Sequence, residues 1–497
     1  IDITNSPPTG KGMFVVIGGG IAGVSCAEAL LAHSPDANVC LVSPTPIIKA
    51  ARNVNELTRN LVTFDVTEIP VTEYESKHPN VKVHKCSAVR IDTEDKLIFM
   101  SSGETISYDK VCVCTGARQN VIFPENNCVV GIRDTATAME LDKMLKSSER
   151  VVVVGNGGIA TELVFQIKNC EVIWAIKDKS ISNVFFDGGA GQFFLPFLQR
   201  KQDLLKNFET EIPSKRMIYK VSDFNTTESK TLGGALGPDW HQSLSLTGTN
   251  DDICGVNVEY ECEVQDLHVR SDNCCNLHET KKPSGEYWPL HVKLTNAVSH
   301  ACDFVISATG VVPNVQLFTD LSCTFGLDSG IEIDENMRVV GLYDVYAAGD
   351  VCSTAKWPES PHWHQMRLWT QARQMGLFAA QCMAGHSTMK EDIPLDICFE
   401  LFAHVTSFFG KKVVLLGNYN AQKNNDNKNS LEFLLRVEMN EEYVKVVLFN
   451  GRVIGCVLIG ETDLEETFEN LILNQTDVSA LGENLLDPNV DIADYFD

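Results

Sequence analysis

Two stretches of the chain repeat one hydrophobic pattern: a short apolar run, a glycine-rich turn, then a longer segment with apolar residues at helical spacing. The first copy runs from Met13 through Phe-Val-Val-Ile to Gly18-Gly-Gly20-Ile21-Ala22-Gly23 and on to about Ala32. The second runs from Arg150 through four valines to Gly155-Asn-Gly157-Gly158-Ile159-Ala160 and on to about Lys168. A β-branched apolar run follows each, Asn38 to Ser43 and Glu171 to Ile176. Strand, tight turn, helix and strand make a βαβ unit, so the duplication predicts an α/β protein with two doubly wound, Rossmann-like parallel sheets.

Between Lys201 and Tyr287 the pattern dissolves into polar and charged residues, with Gly-Gly at 233–234 and the vicinal pair Cys274–Cys275. This segment reads as an insertion in the second unit. Strand patterning resumes near His291 to Leu294 and at Asp303 to Ser307, and a long helix is predicted from about Gln365 to Ala384. The last hundred residues alternate as strands, at Lys411 to Gly417, Leu431 to Val437, Tyr443 to Leu448 and Arg452 to Ile459. A helix around Leu464 to Leu473 then completes a small α+β domain, 396–497.

Composition narrows the class. Apolar residues make up 44% and charged residues 22% of 497, which suits a protein with a sizeable core divided into two or three domains. No apolar run approaches the roughly 20 residues that span a bilayer, so no membrane role is expected. The start, Ile1 to Lys11, is polar and lacks the basic and apolar regions of a secretory leader. Seventeen cysteines without regular spacing, several inside strand-like runs, read as reduced thiols. A formal charge of −25 disfavours direct contact with nucleic acid. From Glu461 to Asp497 there are eleven acidic residues and no Lys or Arg, a block that suits either an interaction tail or a solvated face.

The glycine turns carry the first chemistry. Gly18 permits the tight turn, Gly20 lets backbone approach a pyrophosphate, and Gly23 lets helix and strand pack closely. The phosphates then sit at a helix N-terminus, where free N–H groups and the dipole favour an anion. No acidic ribose ligand ends the strand after this fingerprint; Ser43 stands there. In the second fingerprint, Gly155-x-Gly157-x-x-Ala160, alanine takes the third place. Its following strand ends Ile176-Lys177-Asp178-Lys179, which leaves NADH and NADPH both open.

Three further segments complete a set. Thr115-Gly116-Ala117-Arg118 and Ala308-Thr309-Gly310-x-x-Pro313-Asn314 each end an apolar run, and Val345-Tyr-Ala-Ala-Gly349-Asp350 sets a lone Asp after a strand. In this order the segments resemble the pyridine nucleotide–disulfide oxidoreductase superfamily. The resemblance implies an FAD-binding domain, 11–125 and 295–395, with an NAD(P)H-binding domain, 126–294, inserted in it. It implies FAD contacts from Gly18, Gly20, Ile21, Ala22, Gly23, Ser43, Val89, Thr115, Gly116 and Arg118, and ribityl contacts from Gly349 and Asp350. Gly155, Gly157, Gly158, Ile159, Lys177 and Gly310 are the corresponding NAD(P)H contacts. Trp369 and Thr370, at the start of the long helix, are read as flavin contacts or as plain core.

Disulfide reductases of that superfamily carry a Cys-x4-Cys pair after the first βαβ unit. This chain reads Ser43-Pro-Thr-Pro-Ile-Ile-Lys49-Ala-Ala-Arg52, without cysteine. Lys49 fills the slot, as in members similar to ferredoxin reductases and apoptosis-inducing factor, which pair it with a Glu at the position of Glu162. Lys49 and Glu162 are therefore the expected catalytic pair, serving hydride transfer from NAD(P)H to FAD. Several longer stretches, among them Trp174-Ala-Ile-Lys-Asp-Lys and Glu400-Leu-Phe-Ala-His404, resemble one animal branch of the superfamily. That branch implies a cytoplasmic and nuclear flavoprotein of the oxidative-stress response that protects the catalytic subunit of the tRNA-splicing RNA ligase. The acidic end, with Asp491, Asp494, Tyr495, Phe496 and Asp497, is the candidate partner-binding tail. The alternative function is an NAD(P)H oxidase or reductase turning over a small molecule, a quinone or a disulfide.

Overall fold

The structure, a computed structural model, describes residues 12–199, 244–249, 255–270, 281–388, 392–423, 430–490 and 492. Gly233–Gly234, Cys274–Cys275 and the tail residues Asp491, Asp494, Tyr495, Phe496 and Asp497 lie outside the described residues.

The first predicted unit folds as β1 (Met13–Ile17), α1 (Ile21–His33) and β2 (Asn38–Val42), with β1 and β2 paired in parallel. Four of the five β1 residues are buried, because the strand lies inside a five-stranded sheet. The sheet's strand order by residue is 345–347, 110–113, 13–17, 38–42, 81–84. After β2 the chain makes an antiparallel hairpin, β3 (Ile47–Glu56) and β4 (Val62–Pro70), which the hydrophobic pattern does not announce. It pairs Lys49 with Glu68 across the two strands.

The second unit repeats the geometry with Arg150–Val154, a helix at Gly158–Gln166 and Glu171–Ala175. Its sheet order is 129–131, 304–307, 150–154, 171–175, 255–259, all parallel. Two boundaries therefore shift. Phe304–Ser307 belongs to this second sheet, so the inserted domain runs past residue 294 before the chain returns to the first. Gly255–Glu259, read from its polarity as insertion, is the sheet's edge strand; an edge needs fewer apolar residues because one flank faces solvent.

The long helix spans Trp369–Thr388, four residues later than its pattern suggests, and packs along α1. A Cβ on Gly376 would fall 2.2 Å from the Ala22 carbonyl oxygen, so only glycine allows this crossing. The C-terminal domain is an antiparallel sheet in the order 403–408, 411–417, 452–459, 442–449, 431–438, covered on one face by the helix Glu465–Asn474. Leu485, Leu486 and Ile492 are buried in that core, so the acidic end is anchored at least to Ile492. An aromatic seam joins this domain to the nucleotide domain. In it Phe185 lies 5.3 Å from Phe408, and Phe194 lies 4.9 Å from Phe409.

Candidate active site

The two fingerprint turns are built alike. Gly18 has φ +128° and Gly155 φ +126°, and a Cβ on either would strike the carbonyl oxygen of the neighbouring strand's end, Cys114 at 2.1 Å and Ala308 at 2.2 Å. Non-glycine residues are excluded at both positions by conformation and by contact. A Cβ on Gly23 would lie 1.9 Å from the Gly18 carbonyl oxygen, which is the close helix–strand approach the motif requires. At Gly20 and Gly157, the two helix N-caps, a Cβ would meet nothing within 4 Å. Neither helix has a side-chain cap, so no capping side chain claims its first N–H groups.

Ser43 sits at the first turn as expected: it is buried, and a Cβ on Gly19 would come 2.6 Å from its Oγ. Ile21 and Ala22 are buried at the start of α1. Gly349, with φ +81°, packs against Ala22, bringing Asp350 to the same end of the sheet. Thr115 Oγ1 donates to the Asn314 carbonyl and Asn314 Nδ2 donates to the Thr115 carbonyl, cross-linking the two domain connections. Gly116 (φ +65°) and Gly310 (φ +95°) flank this crossing with open space at both Cβ positions. Arg118 is exposed on the short ribbon Ala117–Gln119.

Val89, another expected flavin contact, faces outward. The Val89 side chain is 60% exposed, because a bulge between Ala88 and Arg90 turns it out of the alternation that buries Ile91.

Lys49 is the centre of the site. Its backbone N–H donates to the Gly19 carbonyl at 3.1 Å, tying the hairpin to the fingerprint turn. Its side chain is 1% exposed, with Nζ 3.2 Å from Glu68 Oε1 and 5.7 Å from the centre of the Trp369 ring. Burial pulls the Lys49 ammonium down to about 8, against the opposing pull of Glu68. Thr135 Oγ1 donates to Glu68 Oε1 at 3.1 Å, and Asp134 caps the helix that carries Thr135. The preceding residue, Arg133, places Nη2 2.8 Å from Asp350 Oδ2 and donates from Nε to the Ala117 carbonyl. Glu68, Thr135 and Arg133 were not legible in the sequence. Each reaches the site through a long-range partner, and only the hairpin register could have pointed to Glu68.

Glu162 lies half-buried on the second fingerprint helix. Gly158 and Ile159 begin that helix, and a Cβ on Gly158 would touch Phe185 at 3.1 Å. Lys177 is exposed, whereas Asp178 accepts a 2.7 Å hydrogen bond from Asn156 inside the fingerprint. Nearby, burial pushes His364 and His404 down to about 4, so both stay neutral at physiological pH.

Thr370 Oγ1 is buried and without a hydrogen-bond partner among the described residues. An unpartnered buried hydroxyl costs about 1–3 kcal/mol, so its position next to Trp369 points to a polar group that the described residues do not supply. Together with the open N-caps, the buried ammonium and the glycine cradles, it fits FAD at the first turn and a nicotinamide dinucleotide at the second.

Among the described residues no thiol competes for this place. The described cysteines are all free. Cys112 and Cys114 put their sulfurs 3.5 Å apart beneath Gly18, fully inside the sheet. Hydrogen bonds to Cys114 and Cys26, with burial, push the Cys112 thiol well above its ordinary value, so it is protonated and unreactive.

Comparison with known proteins agrees with this geometry. The family model described as pyridine nucleotide-disulphide oxidoreductase matches residues 13–190 and 254–376, and that of the rubredoxin NAD+ reductase C-terminal domain matches 407–476. The chain is 48% identical over 506 residues to a mouse protein named pyridine nucleotide-disulfide oxidoreductase domain-containing protein 1, covering 99% of each. The human protein of that name is 46% identical over 506 residues, again with 99% of each covered. Among solved structures, a ferredoxin reductase from Rhodopseudomonas palustris superposes with a TM-score of 0.66 at 14% identity, over 97% of this chain and 100% of that one.

Proposed function

This chain belongs to the pyridine nucleotide-disulphide oxidoreductase family as an FAD- and NAD(P)H-dependent oxidoreductase, and we propose that it works without a dithiol relay, to protect a partner protein from oxidation. The observation that carries this reading is Lys49 in the slot where a redox cysteine pair would stand, locked to Glu68 by the hairpin register. When bound, FAD supplies the acceptor for hydride from NAD(P)H. The chain's residues do the rest. The N–H groups after Gly20 and Gly157 hold the two pyrophosphates, and Asp350 and Thr370 offer polar contacts along the flavin. The Lys49 ammonium, kept charged at neutral pH by Glu68, stands where negative charge develops on reduction.

The partner we propose is the catalytic subunit of the tRNA-splicing RNA ligase, in the cytoplasm and nucleus, within the oxidative-stress response. Two features support it: the full-length likeness to the domain-containing protein 1 relatives and the acidic, aromatic end beyond Ile492. Carboxylates of that kind suit a basic or metal-bearing cleft. The test is ligase activity after exposure to air and peroxide. Activity should survive only with this protein and NAD(P)H together, and removal of 493–497 should abolish protection while FAD content is unchanged. Equal loss of ligase activity with and without the protein would sink the proposal. Fast steady-state NAD(P)H oxidation with a quinone, disulfide or oxygen would favour the reading as a small-acceptor oxidoreductase.

A further inference from the structure

Six arginines of this protein are paired closely with carboxylates. Arg52, Arg133, Arg150, Arg338, Arg367 and Arg436 each lie within 3.0 Å of a carboxylate oxygen. Arg373 is not among them. It sits on the long helix one turn beyond Trp369, half-buried, and burial pulls its guanidinium below the ordinary value. Its five N–H donors make no hydrogen bond or ion pair among the described residues, and its guanidinium lies over the ring of Phe64 at 5.9 Å.

A desolvated, permanently charged fork with no acceptor is costly. Glu56 and Glu28 attract it without forming an ion pair, so even in a chain of net charge −25 the guanidinium keeps its N–H donors unclaimed. Arg373 opens into a cavity of about 340 Å³ between α1, the tip of the β3–β4 hairpin, the long helix and the segment leading to the C-terminal domain. Arg59, also without an ion pair, enters from the hairpin tip, and the Gln374 and Gln381 amides line the wall. Leu377 and Phe378 give it an apolar floor. Asp396 also lines it and accepts from the Cys398 N–H through Oδ1 at 2.9 Å.

We propose that this cavity binds a small organic anion, with a carboxylate or phosphate head between Arg59 and Arg373 and an apolar body on Leu377 and Phe378. Planar guanidinium forks suit both heads, and the volume lies at the lower end of small-molecule sites. Arg373 shares its helix with Trp369 and Thr370, and the Phe64 it faces packs with Ile21 and Trp369. A ligand here therefore neutralises a charge one helical turn from the flavin contacts.

The experiment uses FAD-loaded protein saturated with NAD+, so that the dinucleotide sites are filled. Phosphate, phenyl phosphate and benzoate are titrated against chloride at matched ionic strength, with melting temperature and flavin absorbance as readouts. The expected result is saturable stabilisation, tighter for phenyl phosphate than for phosphate, with a shift in the flavin band. Arg373→Gln and Arg59→Gln should each weaken binding at least tenfold while FAD content stays at the wild-type level, and Arg373→Lys should recover part of it. Comparison of benzoate with phenyl phosphate identifies the preferred head. Non-saturable shifts, or equal binding by wild type and Arg373→Gln, would overturn the proposal.

Discussion

Replacing Glu68 with Gln tests the buried pair at the centre of the site while preserving shape. At 3.2 Å and an effective dielectric of about 20, the two charges attract by about 5 kcal/mol. The Gln amide oxygen still accepts from the ammonium, so about half of that is lost, roughly 2–3 kcal/mol or about two pKa units. Lys49, held at about 8 in the wild type, then titrates near 6. At pH 7 its protonated fraction falls from about nine-tenths to about one-tenth. If the ammonium stabilises the charge that develops as hydride arrives, flavin reduction slows about ninefold at pH 7. The assay is anaerobic stopped-flow reduction by NADH from pH 5 to 9. The wild-type rate should fall as pH rises through about 8, and the variant rate through about 6, with activity recovered in acid. A variant as fast as wild type at pH 7, or slow at every pH, would refute the reasoning.

Four further outcomes follow from the same geometry. Lys49→Met combined with Glu68→Leu should fold as stably as wild type or more so, because a buried ion pair replaced by matched apolar groups is often neutral. It should keep FAD and still reduce severalfold more slowly, whereas the Lys49→Ala rate would match wild type only if the lysine has no role. Because the folded Lys49 value, about 8, lies below the free-lysine value of 10.5, its buried charge costs stability at neutral pH. That cost is relieved as pH climbs from 8 to 10.5, so urea unfolding should show a local rise in stability there that the double variant lacks. Gly20→Val and Gly157→Val, which enter open space, should leave the melting temperature of apoprotein within a degree or two yet remove FAD and NAD(P)H binding respectively. Asp187→Asn, which removes the carboxylate from the 2%-exposed Lys445 across the domain seam and leaves it Asn420 Oδ1 as an acceptor, should cost about 1–3 kcal/mol in chemical unfolding.

What the sequence made legible is what local pattern controls. The two fingerprints, their strands and their helices stand within a few residues of expectation, because glycine conformation and apolar periodicity are written at adjacent positions. Strands Lys411–Gly417 and Arg452–Ile459 fall at the expected positions, because each is a near-continuous apolar run. What was hidden is long-range. Lys49 could be picked out as filling the cysteine slot, but its buried partner Glu68 is set by a hairpin register. The Arg133–Asp350 and Thr135–Glu68 contacts span 217 and 67 residues. The outward turn of the Val89 side chain was hidden for a local reason: a single bulge reverses a strand's alternation. The edge strand Gly255–Glu259 looks like loop because an edge needs little apolar surface.

The most direct measurement is an anaerobic titration of the FAD-loaded protein with NADH and NADPH, counting equivalents against flavin absorbance. Without a dithiol relay the flavin should bleach completely with about one equivalent of reductant, two electrons per chain, and the thiol count should not rise. Uptake of about two equivalents, with two new thiols released, would reveal a redox-active disulfide and contradict the account.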